Sequence, residues 1–236
     1  MSQPQLFGVD PIDLADPSPY LPIAYYGHMV IGTVTLAAAL VAFWAMKGGR
    51  NHRIAGYVFL AGVAVVCLTS IEMLARVFIA PLFMAVFTAI YAVGGAWLAL
   101  QKGTRTVRLA EASLSLFELV GLAVFLTIAF DAAARGVIPP VAPFVIAFIP
   151  VILLMGDVNW FARQEHRQKM RIARHFNRMI WAFVVVLRAP LVELAAAGLP
   201  VPPVATIIGP IALGGVMLLY FQRRYGLTKR KAAAPS

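Results

Sequence analysis

Apolar residues form long stretches along this chain, and short polar segments separate one stretch from the next. A helix needs about 20 apolar residues to cross the roughly 30 Å hydrocarbon layer of a bilayer. The pattern therefore predicts an all-α, polytopic membrane bundle of seven transmembrane helices. The predicted helices cover about residues 22–46, 54–79, 81–101, 109–131, 138–161, 175–197 and 203–222. A transmembrane domain, 22–222, then lies between a short tail, 1–21, and a basic tail, 223–236.

Positive charge is concentrated after every second apolar stretch. Because loops rich in Lys and Arg stay on the cytoplasmic side of a membrane, this alternation predicts an N-terminus outside and a cytoplasmic C-terminus. The tail 1–21 has three aspartates and no Lys or Arg, which agrees with an extracytoplasmic position. Four clusters hold 16 of the 20 basic residues: Lys47/Arg50/Arg53, Lys102/Arg105/Arg108, Arg163/Arg167/Lys169/Arg171/Arg174 and Arg223/Arg224/Lys229/Arg230/Lys231.

Composition separates a membrane protein from a soluble one. The 236 residues are 61% hydrophobic and 13% charged, which is too little polar surface to cover a soluble protein of this size. The net charge of +10 would suggest nucleic acid as a partner of a soluble protein. Here the charge lies at helix ends on one side, so we expect anionic lipid headgroups at the cytoplasmic face as partners, and no nucleic acid. Other membrane subunits are further candidate partners.

Several ionisable residues fall inside the predicted helices, mostly in the outer half of the membrane. Glu72 and Arg76 are four positions apart and can pair on one helix face. Arg188 has no acidic residue three or four positions away, so it needs a partner on another helix, with Glu72, Glu118 and His28 as candidates. The pattern predicts a ligand-binding or proton-handling site formed by His28, Glu72, Arg76 and Arg188, with Glu193 at similar depth. Structural pairing that fixes helix order is the alternative.

A second polar group lies near the predicted cytoplasmic face and comprises His52, Arg53, Asp157, Asn159, His175 and Arg178. Solvated helix ends are the favoured interpretation, and binding of a lipid phosphate or a quinone headgroup is the alternative. Among the four histidines, only His52 and His175 lie at one level, so they alone could hold a single haem b as cofactor. No His-x-x-x-His metal-ligand spacing, phosphate-binding loop or serine nucleophile motif is present, so catalysis of the kind found in soluble enzymes has no support in the sequence.

Three features together resemble a family of predicted bacterial multi-pass membrane proteins, grouped as a domain of unknown function. They are His28 early in the first helix, the junction Arg50-Asn51-His52-Arg53-Ile54-Ala55-Gly56, and His175 and Arg178 followed by Arg188. The similarity covers roughly residues 25–190. It implies a multi-pass protein of the bacterial inner membrane and brings no established activity.

The leading functional prediction is an inner-membrane protein that binds a small ligand or a proton-active cofactor in the outer cluster, as an accessory to a redox or transport system. In it, Arg188 anchors an anionic or carbonyl group and His28 relays a proton. One alternative is a haem- or quinone-binding electron-transfer protein. Others are a small-solute transporter, favoured by the prolines inside helices five to seven, and a purely structural subunit.

Overall fold

Seven α-helices and no β-strand occur in the computed structural model of the protein, which describes residues 20–163, 166–196 and 202–225. Each helix is long and apolar enough to cross a membrane, which confirms the predicted all-α fold and indicates a multi-pass membrane protein. The helices are α1 (Pro22–Trp44), α2 (Arg50–Arg76), α3 (Ala80–Leu100), α4 (Arg105–Ala134), α5 (Ala142–Ala162), α6 (Arg167–Ala196) and α7 (Pro203–Arg224).

Three helices begin at least four residues earlier than the apolar pattern predicts, and α2 is one of them, at Arg50 rather than near 54. α4 begins at Arg105 rather than near 109, and α6 begins at Arg167 rather than near 175. The predicted loop before helix six is therefore wrong over most of its basic cluster, because Arg167 and Arg174 belong to a helix. These residues remain helical although they are polar, since their side chains bond to carboxylates on neighbouring helices.

α3 is the central helix of the bundle. It packs against α2, α4, α5 and α6, and 61% of the residues in an 18-residue apolar segment of this helix are buried. α1 packs mainly on α2, while α7 packs on α6. Side chains from α2, α3, α5 and α6 meet in one apolar core that includes Phe59, Ala92, Ile149 and Val184. The large apolar side chains exposed on the outer helices have lipid as their natural neighbour.

The short connections place the first three basic clusters, and Arg223 and Arg224 of the fourth, at one end of the bundle. We call this the basic end: α1, α3, α5 and α7 finish there, and α2, α4 and α6 begin there. The opposite end contains the connections α2–α3, α4–α5 and α6–α7.

Close contact between α1 and α2 depends on a glycine. Gly62 faces the fully buried Thr35, and a Cβ at Gly62 would overlap the Thr35 hydroxyl oxygen. That hydroxyl donates to the carbonyl oxygen of Ile31 at 2.6 Å, so it has little freedom to move. Gly56, two turns earlier on α2, has no atom within 4 Å of the corresponding position.

The two glycines make a matched test of this packing. Gly62→Ala should lower the free energy of unfolding by about 1–3 kcal/mol relative to Gly56→Ala, because only the first substitution overpacks the interface. Both substitutions raise helix propensity by about 1 kcal/mol, so their comparison isolates the steric effect. Thermal unfolding in detergent micelles provides the measurement, and equal stability of the two variants would contradict the packing.

Candidate functional site

Asp157 on α5 is the centre of a buried ionic cluster that joins four helices. Its Oδ1 accepts a hydrogen bond from Nη1 of Arg174 at 2.6 Å and another from Nη2 of Arg178. Its Oδ2 accepts from the hydroxyl groups of Tyr91 at 2.7 Å and Ser115 at 2.5 Å. Four donors around one carboxylate satisfy both of its oxygens, so the cluster is stable away from water.

Helix geometry explains why these groups meet. Arg174 and Arg178 are one turn apart on α6 and share a face, which lies against α3. The Arg178 guanidinium carbon lies 4.2 Å from the centre of the Tyr91 ring, and Nη1 donates to the Tyr91 carbonyl oxygen at 2.9 Å. A Cβ at Gly95 would overlap that guanidinium group, so glycine at this position of α3 makes room for Arg178.

A second buried ion pair lies closer to the basic end. Arg167, at the start of α6, donates to both carboxylate oxygens of Glu111 on α4, at 2.6 and 3.0 Å, and to the carbonyl oxygen of Leu98 at 3.2 Å. The side chains of Arg167 and Glu111 are 7% and 0% exposed. This two-point contact fixes the start of α6 against α4.

The two ion pairs are linked through Trp160 on α5. The guanidinium carbons of Arg167 and Arg174 lie 4.6 and 4.5 Å from the centre of its ring. A desolvated cation beside an indole ring is stabilised by the ring quadrupole. The aromatic ring therefore stabilises the guanidinium groups of both arginines inside the helix bundle.

Glu118 on α4 differs from the other buried carboxylates. It is fully buried, and its Oε1 accepts a hydrogen bond from the hydroxyl of Thr88 on α3 at 2.8 Å. Its Oε2 is buried and has no hydrogen-bond partner among the residues that the structure describes. No ion pair found within the described residues includes Glu118. This carboxyl group thus lies near the middle of α4 with one oxygen unsatisfied.

Glu118 also ends a line of polar side chains. Glu111, Ser115 and Glu118 follow one another at spacings of four and three residues, so they share one face of α4 and span about 10 Å. We call them the polar face of α4. It begins at the Arg167 ion pair near the basic end, passes the Asp157 cluster at Ser115 and reaches the bundle centre at Glu118.

The structure pairs two of the predicted outer residues, Glu72 and Arg76, with each other. Nδ1 of His28 lies 3.0 Å from the hydroxyl oxygen of Thr69 on α2. Glu72 and Arg76 form the expected ion pair within α2, and both side chains are partly exposed. Arg188 is half-buried in α6 and has no hydrogen bond or ion pair within the described part of the chain. The side chain of Glu193 lies outside the described residues.

The predicted cofactor residues both touch backbone carbonyl groups. Nδ1 of His52 lies 3.0 Å from the carbonyl oxygen of Ala42, and Nδ1 of His175 lies 3.1 Å from that of Ala96. A carbonyl oxygen only accepts, so Nδ1 carries a proton in each ring, and in the neutral ring Nε2 is then the nitrogen with the lone pair. This tautomer fits a haem ligand, and haem remains a prediction. No group of three or more metal-ligating side chains occurs in the ranges that the structure describes.

Solvated helix ends do not account for the second polar group. That interpretation is wrong for Asp157 and Arg178, which are 3% and 2% exposed. The apolar pattern also missed Glu111, Thr88 and Tyr91 as site residues. A signal for the polar face was present: the polar residues of early α4 recur at helical spacing rather than at random, as expected for a face that contacts protein.

Comparison of the chain with known protein families, with curated proteins and with solved structures finds no match. The resemblance to the bacterial multi-pass family therefore remains a prediction.

Removal of the Asp157 carboxylate should lower the free energy of unfolding substantially. Asp157→Asn keeps the side-chain shape but leaves two buried guanidinium groups without a counter-charge, so we expect a loss of about 3–5 kcal/mol in unfolding free energy. Glu72→Gln is the control, because the Glu72–Arg76 pair is partly exposed and worth less than about 1 kcal/mol. Denaturant unfolding in micelles measures both variants, and similar losses for the two would refute a central role for Asp157.

Proposed function

We propose that this chain is a multi-pass membrane protein that transfers protons and that Glu118 is its proton-binding group. The observation that supports this proposal is the environment of the Glu118 carboxyl group, which is fully buried. One of its oxygens accepts a hydrogen bond from Thr88, and the other has no hydrogen-bond partner among the described residues. Carboxyl groups inside membrane proteins recur in proton relays because they are costly to keep there without a function.

The energetic cost of ionisation distinguishes Glu118 from the neighbouring carboxylates. Glu111 and Asp157 each contact at least one guanidinium group, so their ionised forms are compensated. An ionised carboxylate that lacks such a partner in a low-dielectric environment costs several kcal/mol more than the neutral acid. Glu118 is therefore proposed to rest as a neutral acid. In the proposed cycle, Glu118 releases its proton to the oxygen of a water molecule and becomes a carboxylate. It then takes up another proton from water and returns to the neutral acid.

The polar face of α4 supplies an approach from the basic end. Ser115 lies between Glu111 and Glu118 on this face, and its hydroxyl contacts Asp157. Hydroxyl and carboxylate groups at helical spacing can hold water molecules in a hydrogen-bonded row. Protons would then reach Glu118 from solvent at the basic end, whereas the apolar core around α3 separates it from lipid.

Location and orientation are part of the same proposal. Positive charge at the basic end supports a cytoplasmic position for that end, with the N-terminal tail outside, in a bacterial inner membrane. Pro150, Pro190 and Pro210 lie inside α5, α6 and α7. Hydrophobic segments that contain internal prolines occur in secondary transporters, which favours coupling of the proton to a small solute as the second candidate. The outer ligand site at His28, Glu72, Arg76 and Arg188 stays a prediction.

A purely structural role for Glu118 is the main competitor, and a flux measurement separates the two. We expect proteoliposomes with the wild-type protein to take up protons faster than protein-free liposomes when a potassium diffusion potential is applied. Glu118→Gln should reduce this uptake at least about tenfold, because an amide keeps the shape of the side chain but cannot exchange the acid proton. A pH-sensitive dye inside the liposomes reports the rate.

Asp131→Asn is the control for loss of a carboxylate elsewhere and should retain the wild-type rate, because Asp131 is exposed and pairs with Arg135. Thermal unfolding of each variant shows whether the fold is intact. Wild-type uptake equal to that of protein-free liposomes, or unchanged uptake in a folded Glu118→Gln variant, would overturn the proposal.

A further inference from the structure

A cleft at the basic end lies between the last residues of α1 and of α7. It has a volume of about 390 Å³. Aromatic side chains form much of its wall, and two cations, Lys47 and Arg224, complete it, while none of the lining residues is acidic. The lining residues are Phe43, Trp44, Ala45, Met46, Lys47, Phe221, Arg224 and Tyr225.

Lys47 is held in place within this cleft. Its Nζ donates to the carbonyl oxygens of Ala42 and Phe43 at 2.9 and 2.8 Å, which caps the end of α1. The same nitrogen lies 5.1 Å from the centre of the Phe221 ring and 5.7 Å from that of Phe43. One of its three N–H groups is left for a ligand. Burial and then the charge of Arg224 lower the pKa of Lys47, as expected for two cations that share a site without an anion.

Arg224 has donors to spare as well. Its Nη1 donates to the hydroxyl of Tyr220 at 2.6 Å, and the other N–H groups of its guanidinium have no hydrogen bond within the described residues. A planar guanidinium beside a compact ammonium matches the oxygens of a phosphate group. Charge complementarity therefore indicates an anion with phosphate-like oxygens.

A groove on the surface of α7 indicates which kind of chemical group is attached to that anion. It is a shallow, open groove along the outer surface of α7 and is lined by Val216, Leu219, Tyr220, Arg223 and Arg224. Arg224 belongs to both the groove and the cleft. Val216 and Leu219 are 63% and 57% exposed on a helix that is apolar enough to span a membrane, so their natural neighbour is hydrocarbon.

We propose that the cleft and the groove bind one anionic phospholipid, with its phosphate between Lys47 and Arg224 and an acyl chain along Val216 and Leu219. The aromatic rings and the cations then occupy the depth at which headgroups lie in a membrane. The bound lipid would join the end of α1 to α7, two helices that otherwise meet through few side chains such as Phe43 and Phe221. This site is independent of Glu118 and of proton transfer.

Retention of lipid in native mass spectrometry tests the site. The protein is exchanged into detergent with either phosphatidylglycerol or phosphatidylcholine, and the population with one bound lipid is measured. Removal of one surface cation from a headgroup site should weaken binding of phosphatidylglycerol about fivefold, and removal of two about thirtyfold. We therefore expect a loss of about fivefold for Arg224→Gln and about thirtyfold for Lys47→Gln combined with Arg224→Gln.

The control removes equal charge elsewhere at the basic end. Lys102 and Arg105 are exposed, and Lys102→Gln with Arg105→Gln should keep the wild-type affinity. The Arg224→Gln variant should still fold, because this side chain is exposed and its hydrogen-bond partner, Tyr220, lies on the same helix. Loss of lipid from this variant therefore reports on binding rather than on misfolding. Equal loss in the control, or equal retention of phosphatidylcholine, would refute the site. Competition by inorganic phosphate at the lipid concentration would also overturn it, because the site would then recognise a free anion.

Discussion

The ionic bond between Asp157 and the two guanidinium groups of α6 is the interaction on which the centre of this bundle depends. Two cations on α6 cannot enter the bundle unless a carboxylate compensates them, and Asp157 on α5 does so with both on one oxygen. Its other oxygen holds the hydroxyl groups of Tyr91 and Ser115, so the same carboxylate positions α3 and α4. Helix order around α3 follows from this pairing, while the contact between Arg167 and Glu111 fixes the start of α6.

The same constraint isolates Glu118. In the described residues, the buried carboxylates Glu111 and Asp157 have arginine partners, whereas Glu118 has the hydroxyl of Thr88. A group that is not compensated by charge is the one whose protonation can change at moderate cost. A rigid ionic frame and a deeper carboxyl that can exchange a proton are therefore complementary parts of one arrangement.

Much of the fold followed from the apolar pattern, because seven stretches of bilayer length leave few alternatives. The site did not. Asp157 and Arg178 lie near predicted helix ends in sequence, which suggested solvation, yet both are buried. Because α6 begins at Arg167, Arg178 lies about three turns inside that helix. Which polar residues meet depends on the rotation of each helix about its axis, and hydropathy alone does not contain that information. The spacing of Glu111, Ser115 and Glu118 was the available signal.

Infrared spectroscopy of the purified protein tests the central claim most directly, because a neutral carboxylic acid has a C=O stretching band that a carboxylate lacks. We expect the wild-type protein at neutral pH to show such a band in the carboxylic acid region. Glu118→Gln should remove it, and Glu72→Gln should leave it in place. A spectrum without that band, or a band that persists unchanged in Glu118→Gln, would contradict the assignment of Glu118 as the proton-binding group.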